Sequence, residues 1–124
     1  MIYDEDEYKI IYFKRLDTKE IPVWAYIESL NKKEQAKVFK YVEHLRQNEG
    51  CLDEPYSRHI RGKIRELRVD FAKNRHRIFY FIFIGKNIIM LHAFLKKTAK
   101  TPEPEIKKAE TNYQQVLINK NTYE

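Results

Sequence analysis

Hydrophobic positions along this chain change period several times, and each change marks a new element. Between residues 9 and 15 the run Ile10, Ile11, Tyr12, Phe13 supplies the β-branched and aromatic side chains that suit a pleated surface, which predicts a strand. Thr18 and Pro22 then announce a helix. Val23, Trp24, Ile27 and Leu30 recur at helical spacing, so one face of 22–30 is expected on the core. Asn31 with Glu34 three residues later is a capping signature for a second helix, whose buried stripe reads Val38, Phe39, Val42 and Leu45 and which Gly50 stops. Helices joined this closely form an antiparallel hairpin.

After a loop through Pro55 the period becomes two. Residues 64–71 alternate Arg65, Leu67, Val69, Phe71 with Ile64, Glu66, Arg68, Asp70, the pattern of a half-exposed strand with one charged face. Residues 77–84 (R-I-F-Y-F-I-F-I) are apolar on both faces and predict a central strand, and Gly85-Lys86-Asn87 connects it to a further strand over 88–95. Thr101 and Pro102 open a last helix lined by Ile106, Ala109, Tyr113, Val116 and Leu117. The expected class is therefore α+β: an antiparallel sheet with an N-terminal helical hairpin and a C-terminal helix, the helices covering one face and the other left open to a ligand. One domain over 1–124 is expected, with polar tails at about 1–8 and 119–124.

Composition narrows the class. No apolar run is long enough for a membrane helix, and the acidic Asp4 to Glu7 stretch does not open a secretory signal, so a soluble cytoplasmic chain with no membrane partner is expected. That acidic stretch reads as a solvated tail or as a flap over basic surface. The single cysteine, Cys51, excludes an intramolecular disulfide and reads as a loop or partly buried thiol.

Charge changes the picture more. Residues 58–77 hold eight bases and two acids, a surplus of six that equals the whole chain's +6; the remaining 16 bases and 16 acids cancel. A neutral protein with one concentrated basic segment fits a polyanionic partner. Antiparallel pairing would bring Arg68 and Arg77 onto adjacent strands and Lys96 and Lys97 beside them, so four cations converge at one sheet end. Such a cluster is costly unless a phosphate or an acidic partner covers it.

Transesterification of RNA suits these groups: a 2′-hydroxyl attacks the adjacent phosphate while guanidinium and ammonium groups stabilise the developing charge. Arg61, Lys63, Arg65, Lys73, Arg75 and Lys100 are candidate RNA-binding residues. His92 shares a face with Phe94 and Lys96 and reads either as a general acid or base or as a hydrogen-bonded core histidine. Glu66 is expected in an ion pair with Arg68 or Arg77; the aromatic residues of the central strand are expected mostly in the core, with Tyr80 the exception whose hydroxyl could reach solvent. His44, His59, His76 and His92 show no metal-ligand spacing, and no glycine-rich phosphate loop is present, so neither metal nor cofactor is expected.

The strings K-I-R-E-L-R-V (63–69), H-R-I-F-Y-F (76–81) and L-H-A-F-L-K-K-T-A-K-T-P (91–102), followed by E-I-K-K-A-E, resemble the phage-derived branch of the RelE/HigB toxins over roughly residues 21–117. The resemblance implies a type II toxin: a metal-independent, ribosome-dependent endoribonuclease that cuts messenger RNA. Its implied partners are the ribosome, messenger RNA and a helix-turn-helix antitoxin, in a toxin–antitoxin hetero-oligomer. The antitoxin would cover the basic sheet end or the helical hairpin over 22–49.

By this resemblance Arg68 matches the arginine of the strand motif, Arg77 the arginine that contacts the scissile phosphate, and Lys96 and Lys97 the basic end of the last strand. The chain departs from better-known relatives by carrying Arg65 and Glu66 where they carry two lysines, and by lacking a tyrosine near Ile106. His92 is the substitute candidate for proton transfer. The alternatives are a ParE-like gyrase inhibitor on the same fold and a non-catalytic nucleic-acid or protein-binding module.

Overall fold

β1 (Lys9–Tyr12) is followed by α1 (Pro22–Glu28), α2 (Lys32–Gln47), β2 (Ser57–Arg61), β3 (Ile64–Phe71), β4 (Asn74–Phe83), β5 (Asn87–Leu95), α3 (Glu103–Ile118) and α4 (Lys120–Tyr123). This computed structural model describes residues 7–124, so all but Glu7 of the acidic stretch lies outside the described residues. The fold is α+β around a five-stranded sheet of order β1-β5-β4-β3-β2. No helix among the described residues is long and apolar enough to cross a membrane.

The sheet is mixed and not wholly antiparallel. β2 to β5 form an antiparallel meander, but β1 pairs parallel with β5, Lys9 opposite Asn87 through Tyr12 opposite Met90. The helical crossover carries the chain from one sheet edge to the other, and a meander of four strands returns β5 alongside β1 in the same direction. β2 lies where the sequence suggested only loop. As an edge strand it pairs on one side alone, and it carries Arg58 and Arg61 where alternation would call for apolar residues, which erases the pattern that announces a strand.

Helices cover both faces, which corrects the expectation of one open face. Val23, Ile27, Val38, Val42 and Leu45 of α1 and α2 pack on Leu67, Val69, Ile78, Tyr80, Ile88 and Met90. On the opposite side Ile106, Ala109, Val116 and Tyr123 of α3 and α4 pack on Phe79, Phe81, Phe83, Ile89 and Leu91. A central strand apolar on both faces demands this, because either face left bare would expose a row of aromatic side chains.

Smaller differences follow from crowding. Trp24 and Phe39, expected in the core, are exposed and lie 5.6 Å apart, because Val23 and Ile27, and Val38 and Val42, already fill the contacts with the sheet. Tyr80 does not reach solvent: it is fully buried and its hydroxyl donates to the Gly50 carbonyl at 2.7 Å. Gly50 has φ +83°, and a Cβ there would lie 2.6 Å from Ile82 Cδ1, so the helix stop is also a close approach to the sheet. Tyr123, within the segment read as a polar tail, is buried: its hydroxyl accepts from the Lys14 amide at 3.1 Å.

A polar network clamps the helical hairpin to β4. The Asn31 side chain caps α2 by accepting from the Glu34 amide at 2.9 Å. The Glu34 carboxylate turns inward, with Oε2 at 2.6 Å from His76 Nε2 and 3.1 Å from Asn74 Nδ2, while the Tyr26 hydroxyl lies 2.6 Å from His76 Nδ1. The His76 contact, then the Asn74 one, holds the Glu34 carboxyl below the usual carboxylate range. Burial, with the nearby Glu34 charge, pushes Tyr26 up to about 12. A depressed carboxyl pKa contributes stability that is present above the unfolded value and lost as pH falls through the folded one. Glu34→Gln is therefore expected to be less stable than wild type at neutral pH, with the gap closing between roughly pH 5 and pH 3; parallel urea-unfolding curves for both proteins across that range would refute the assignment.

Candidate functional site

Strand parity sets the site. On β3, Leu67 and Val69 face α1 and α2, so Glu66 and Arg68 face α3; on β4, Ile78 faces α1 and α2, so Arg77 faces α3. Register does the rest: Arg68 is directly opposite Arg77, and Arg58 of β2 is opposite Glu66. Beyond the end of β5, the Lys96 amide donates to the Arg75 carbonyl at 2.9 Å, which keeps Lys96 beside β4. Arg58, Glu66, Arg68, Arg77 and Lys96 thus gather at one end of the sheet.

Glu66 is the centre of this group and is fully buried. Its Oε1 accepts from Arg58 Nε at 3.2 Å and lies 3.5 Å from Arg68 Nε. Of the two partners expected for Glu66, Arg68 supplies the ion pair and Arg77 is bonded elsewhere. The Arg77 guanidinium, in a residue 1% exposed, donates from Nη1 to Asp70 Oδ1 at 2.7 Å and to the His76 carbonyl at 3.0 Å. Glu66 Oε2 and the Nε atoms of Arg68 and Arg77 are buried without a hydrogen-bond partner among the described residues. Burial lowers the Lys96 ammonium pKa; Arg77, Arg58 and Arg68 push it the same way and Glu66 opposes them. Arg58, missed in the sequence because it lies in an unrecognised edge strand, also contacts Thr101 Oγ1 at 3.4 Å in the loop before α3.

Four cations share two carboxylates here, Glu66 and Asp70, so the group carries a net positive charge in a partly water-excluded place. Donor atoms are left over. Arg58 and Arg68, with side chains 38% and 26% exposed, are the members that meet solvent, while Arg77 and Lys96 act from behind them. The arrangement is suited to holding a phosphate-like anion and stabilising additional charge on it.

The other candidates divide. Lys73, Lys97 and Lys100 are exposed in turns or loops at the cluster's end of the sheet, and Arg75 is half-buried two residues before Arg77. Lys63 is exposed in the β2–β3 turn, at the other end of β3. Arg65 faces α1 and α2, its Nε 3.4 Å from the Tyr80 hydroxyl. Arg61 is engaged by Glu103 and, at 3.4 Å, by Glu110 of α3, and so straps the sheet edge to that helix.

His92 stands apart from the cluster. Its Nε2 is 2.7 Å from Glu105 Oε1, its ring stacks at 5.9 Å on Phe94, and it lines a separate cavity with Arg15, Glu20, Pro22, Lys108 and Asn112. Burial lowers its pKa against the opposing pull of Glu105. Cys51 is an exposed free thiol. Among the described residues no three His, Cys, Asp or Glu side chains are grouped so as to hold a metal ion.

A family model described as "Phage derived protein Gp49-like (DUF891)" matches residues 25–114, a span that includes the helical hairpin, the whole meander and most of α3. No curated protein matches the chain.

Removing one partner from a buried ionic group costs more than the group's net worth, because the remaining charges are stranded. Glu66→Ala is expected to lower unfolding free energy by about 2–4 kcal/mol, below the fully buried range because Arg58 and Arg68 are partly solvated. Urea denaturation tests this; an unchanged midpoint would mean that the carboxylate does not hold the cations together.

Proposed function

Since the chain belongs to the phage-derived Gp49-like family, a RelE-like family associated with toxin–antitoxin modules, we propose that it is the toxin of a type II pair of the HigB kind, an endoribonuclease that cuts messenger RNA on the ribosome. The observation that carries this reading is the convergence of Arg58, Arg68, Arg77 and Lys96 about buried Glu66, with the Nε atoms of Arg68 and Arg77 left without a hydrogen-bond partner among the described residues.

In the proposed reaction the RNA 2′-oxygen attacks the neighbouring phosphorus and the bond to the 5′-oxygen breaks, leaving a 2′,3′-cyclic phosphate and a 5′-hydroxyl. A proton leaves the 2′-hydroxyl and one is delivered to the 5′-oxygen. Arg68 and Arg58 hold the phosphate from the solvent side, and Arg77 adds charge from beneath. Preorganised donors of this kind are worth most where water is excluded.

Lys96 fits proton transfer better than His92. Its lowered pKa brings the ammonium nearer to the range in which it gives up a proton, and it shares the field of the same arginines. His92 is held by Glu105 in another cavity. Lys97, Lys73, Arg75 and Lys100 extend the positive surface along the RNA backbone. A cognate helix-turn-helix antitoxin would neutralise the toxin in a hetero-oligomer by covering this basic end.

Expression of the wild-type chain in bacteria, with messenger RNA 5′ ends mapped during growth arrest, tests the reading. New ends inside translated frames are expected for wild type. Arg68→Ala and Lys96→Met should each reduce them by about 10²–10³-fold in protein that remains folded by circular dichroism. Arrest with intact messages would overturn the nuclease reading and favour gyrase inhibition.

A further inference from the structure

Beside the cation cluster lies a groove of about 310 Å³ lined by Lys37, Tyr41, Pro55, Tyr56, Arg68 and Asp70. Its walls come from α2, from the loop before β2 and from the end of β3. The two tyrosine rings stand 5.9 Å apart at 58°, and Tyr56 is 47% exposed. Lys37 Nζ lies 5.7 Å from the centre of the Tyr41 ring, and its ammonium donates to the Asp70 carbonyl.

Arg68 joins the groove to the cluster. Its backbone amide donates to the Tyr56 carbonyl at 2.8 Å, which fixes the tyrosine beside it; the residue lines the groove, and its Nε lies 3.5 Å from Glu66 Oε1 in the cluster. Asp70 lines it too, with Oδ1 taken by Arg77. A ligand seated here meets aromatic faces on one side and, on the other, one of the two cluster arginines that reach solvent. A flat aromatic group attached to an anion has that shape, and a nucleotide of single-stranded RNA, its base free to unstack, is such a group.

We propose that Tyr41, Tyr56 and Lys37 form a nucleobase subsite, in which the base next to the phosphate held at Arg68 stacks on the Tyr56 ring. This rests on the nuclease reading and deepens it by naming how the enzyme grips the nucleotide beside the cut. RNA is favoured over a protein segment as the occupant because the groove shares its arginine with the anion cluster, so that one ligand satisfies both.

Tyr56→Leu removes the aromatic face but keeps apolar bulk at a half-exposed loop position. Tyr56→Phe keeps the face and loses only the hydroxyl. The full-length chain carrying each change is compared with wild type by mapping messenger RNA cut sites and by measuring antitoxin affinity. Tyr56→Leu is expected to lower cutting roughly tenfold and to flatten the base distribution beside the cut, with Tyr56→Phe restoring most of both and antitoxin affinity unaltered. Cutting at the same positions and rate in Tyr56→Leu overturns the subsite while leaving the nuclease reading standing. Weakened antitoxin binding with undiminished cutting also overturns it and makes the groove a protein-docking site. Absence of cuts by wild type overturns the nuclease reading itself, and the subsite with it.

Discussion

The polar end of this molecule depends on Glu66, a carboxylate with no exposure set among Arg58, Arg68 and Lys96. Like charges placed directly opposite on neighbouring strands destabilise a sheet, and the register puts Arg68 opposite Arg77. The pair is sustained because its counter-ions are divided: Glu66 serves Arg68 from within, and Asp70 serves Arg77 from the strand end. Two carboxylates for four cations hold the group together without neutralising it. That imbalance is what makes the place receptive to an anion, since an incoming phosphate supplies charge that the fold withholds.

Coverage of both sheet faces confines the cation cluster to an end of the sheet. With α1 and α2 on one side and α3 and α4 on the other, no open face remains for a ligand. β4 carries a polar network toward each side from adjacent residues: His76 reaches Glu34 and Tyr26 in the helical hairpin, and Arg77 reaches Asp70 on the opposite face. Lys37 of α2, bonded to the Asp70 carbonyl, closes the circuit between them. The hairpin therefore does more than cover apolar surface; it fixes the strand end from which the cluster and its neighbouring groove are built.

Local signals were legible in the sequence where one physical rule dominates. Asn31 and Glu34 announced the cap of α2, the doubly apolar run announced β4, and alternation along β3 with a short turn was enough to bring Arg68 and Arg77 together. Rules that depend on partners were not legible. An edge strand such as β2 needs only one neighbour and tolerates Arg58 and Arg61 because Glu66 and α3 supply their counter-ions, so it carries no periodic signature. Whether Trp24 or Val23 faces the core depends on which position the sheet has room for. Tyr80 hides its hydroxyl only because the turn after α2 sets the Gly50 carbonyl within hydrogen-bond reach of it. His92 was placed with Lys96 by counting along one strand, but Glu105 and the flanking Phe79 and Phe94 rings seat it in another cavity.

The charge surplus over residues 58–77 shows how far such counting carries. Read linearly, it suggests one broad basic surface. Folded, it separates into groups with different tasks: Arg61 straps the sheet edge to α3, Arg65 turns to the Tyr80 side, and Arg77 is buried behind its neighbours. Arg58, Arg68 and Lys73 remain near solvent at one end, where Lys96, Lys97 and Lys100 join them from beyond β5, outside the segment that carried the surplus. The net charge of a stretch thus measures what the chain can spend on an anion, and strand parity with ion pairing to α3 decides where that charge is delivered. In this fold Arg68 belongs both to the cation cluster and to the lining of the tyrosine groove, so a charged site and an aromatic one adjoin through a single residue.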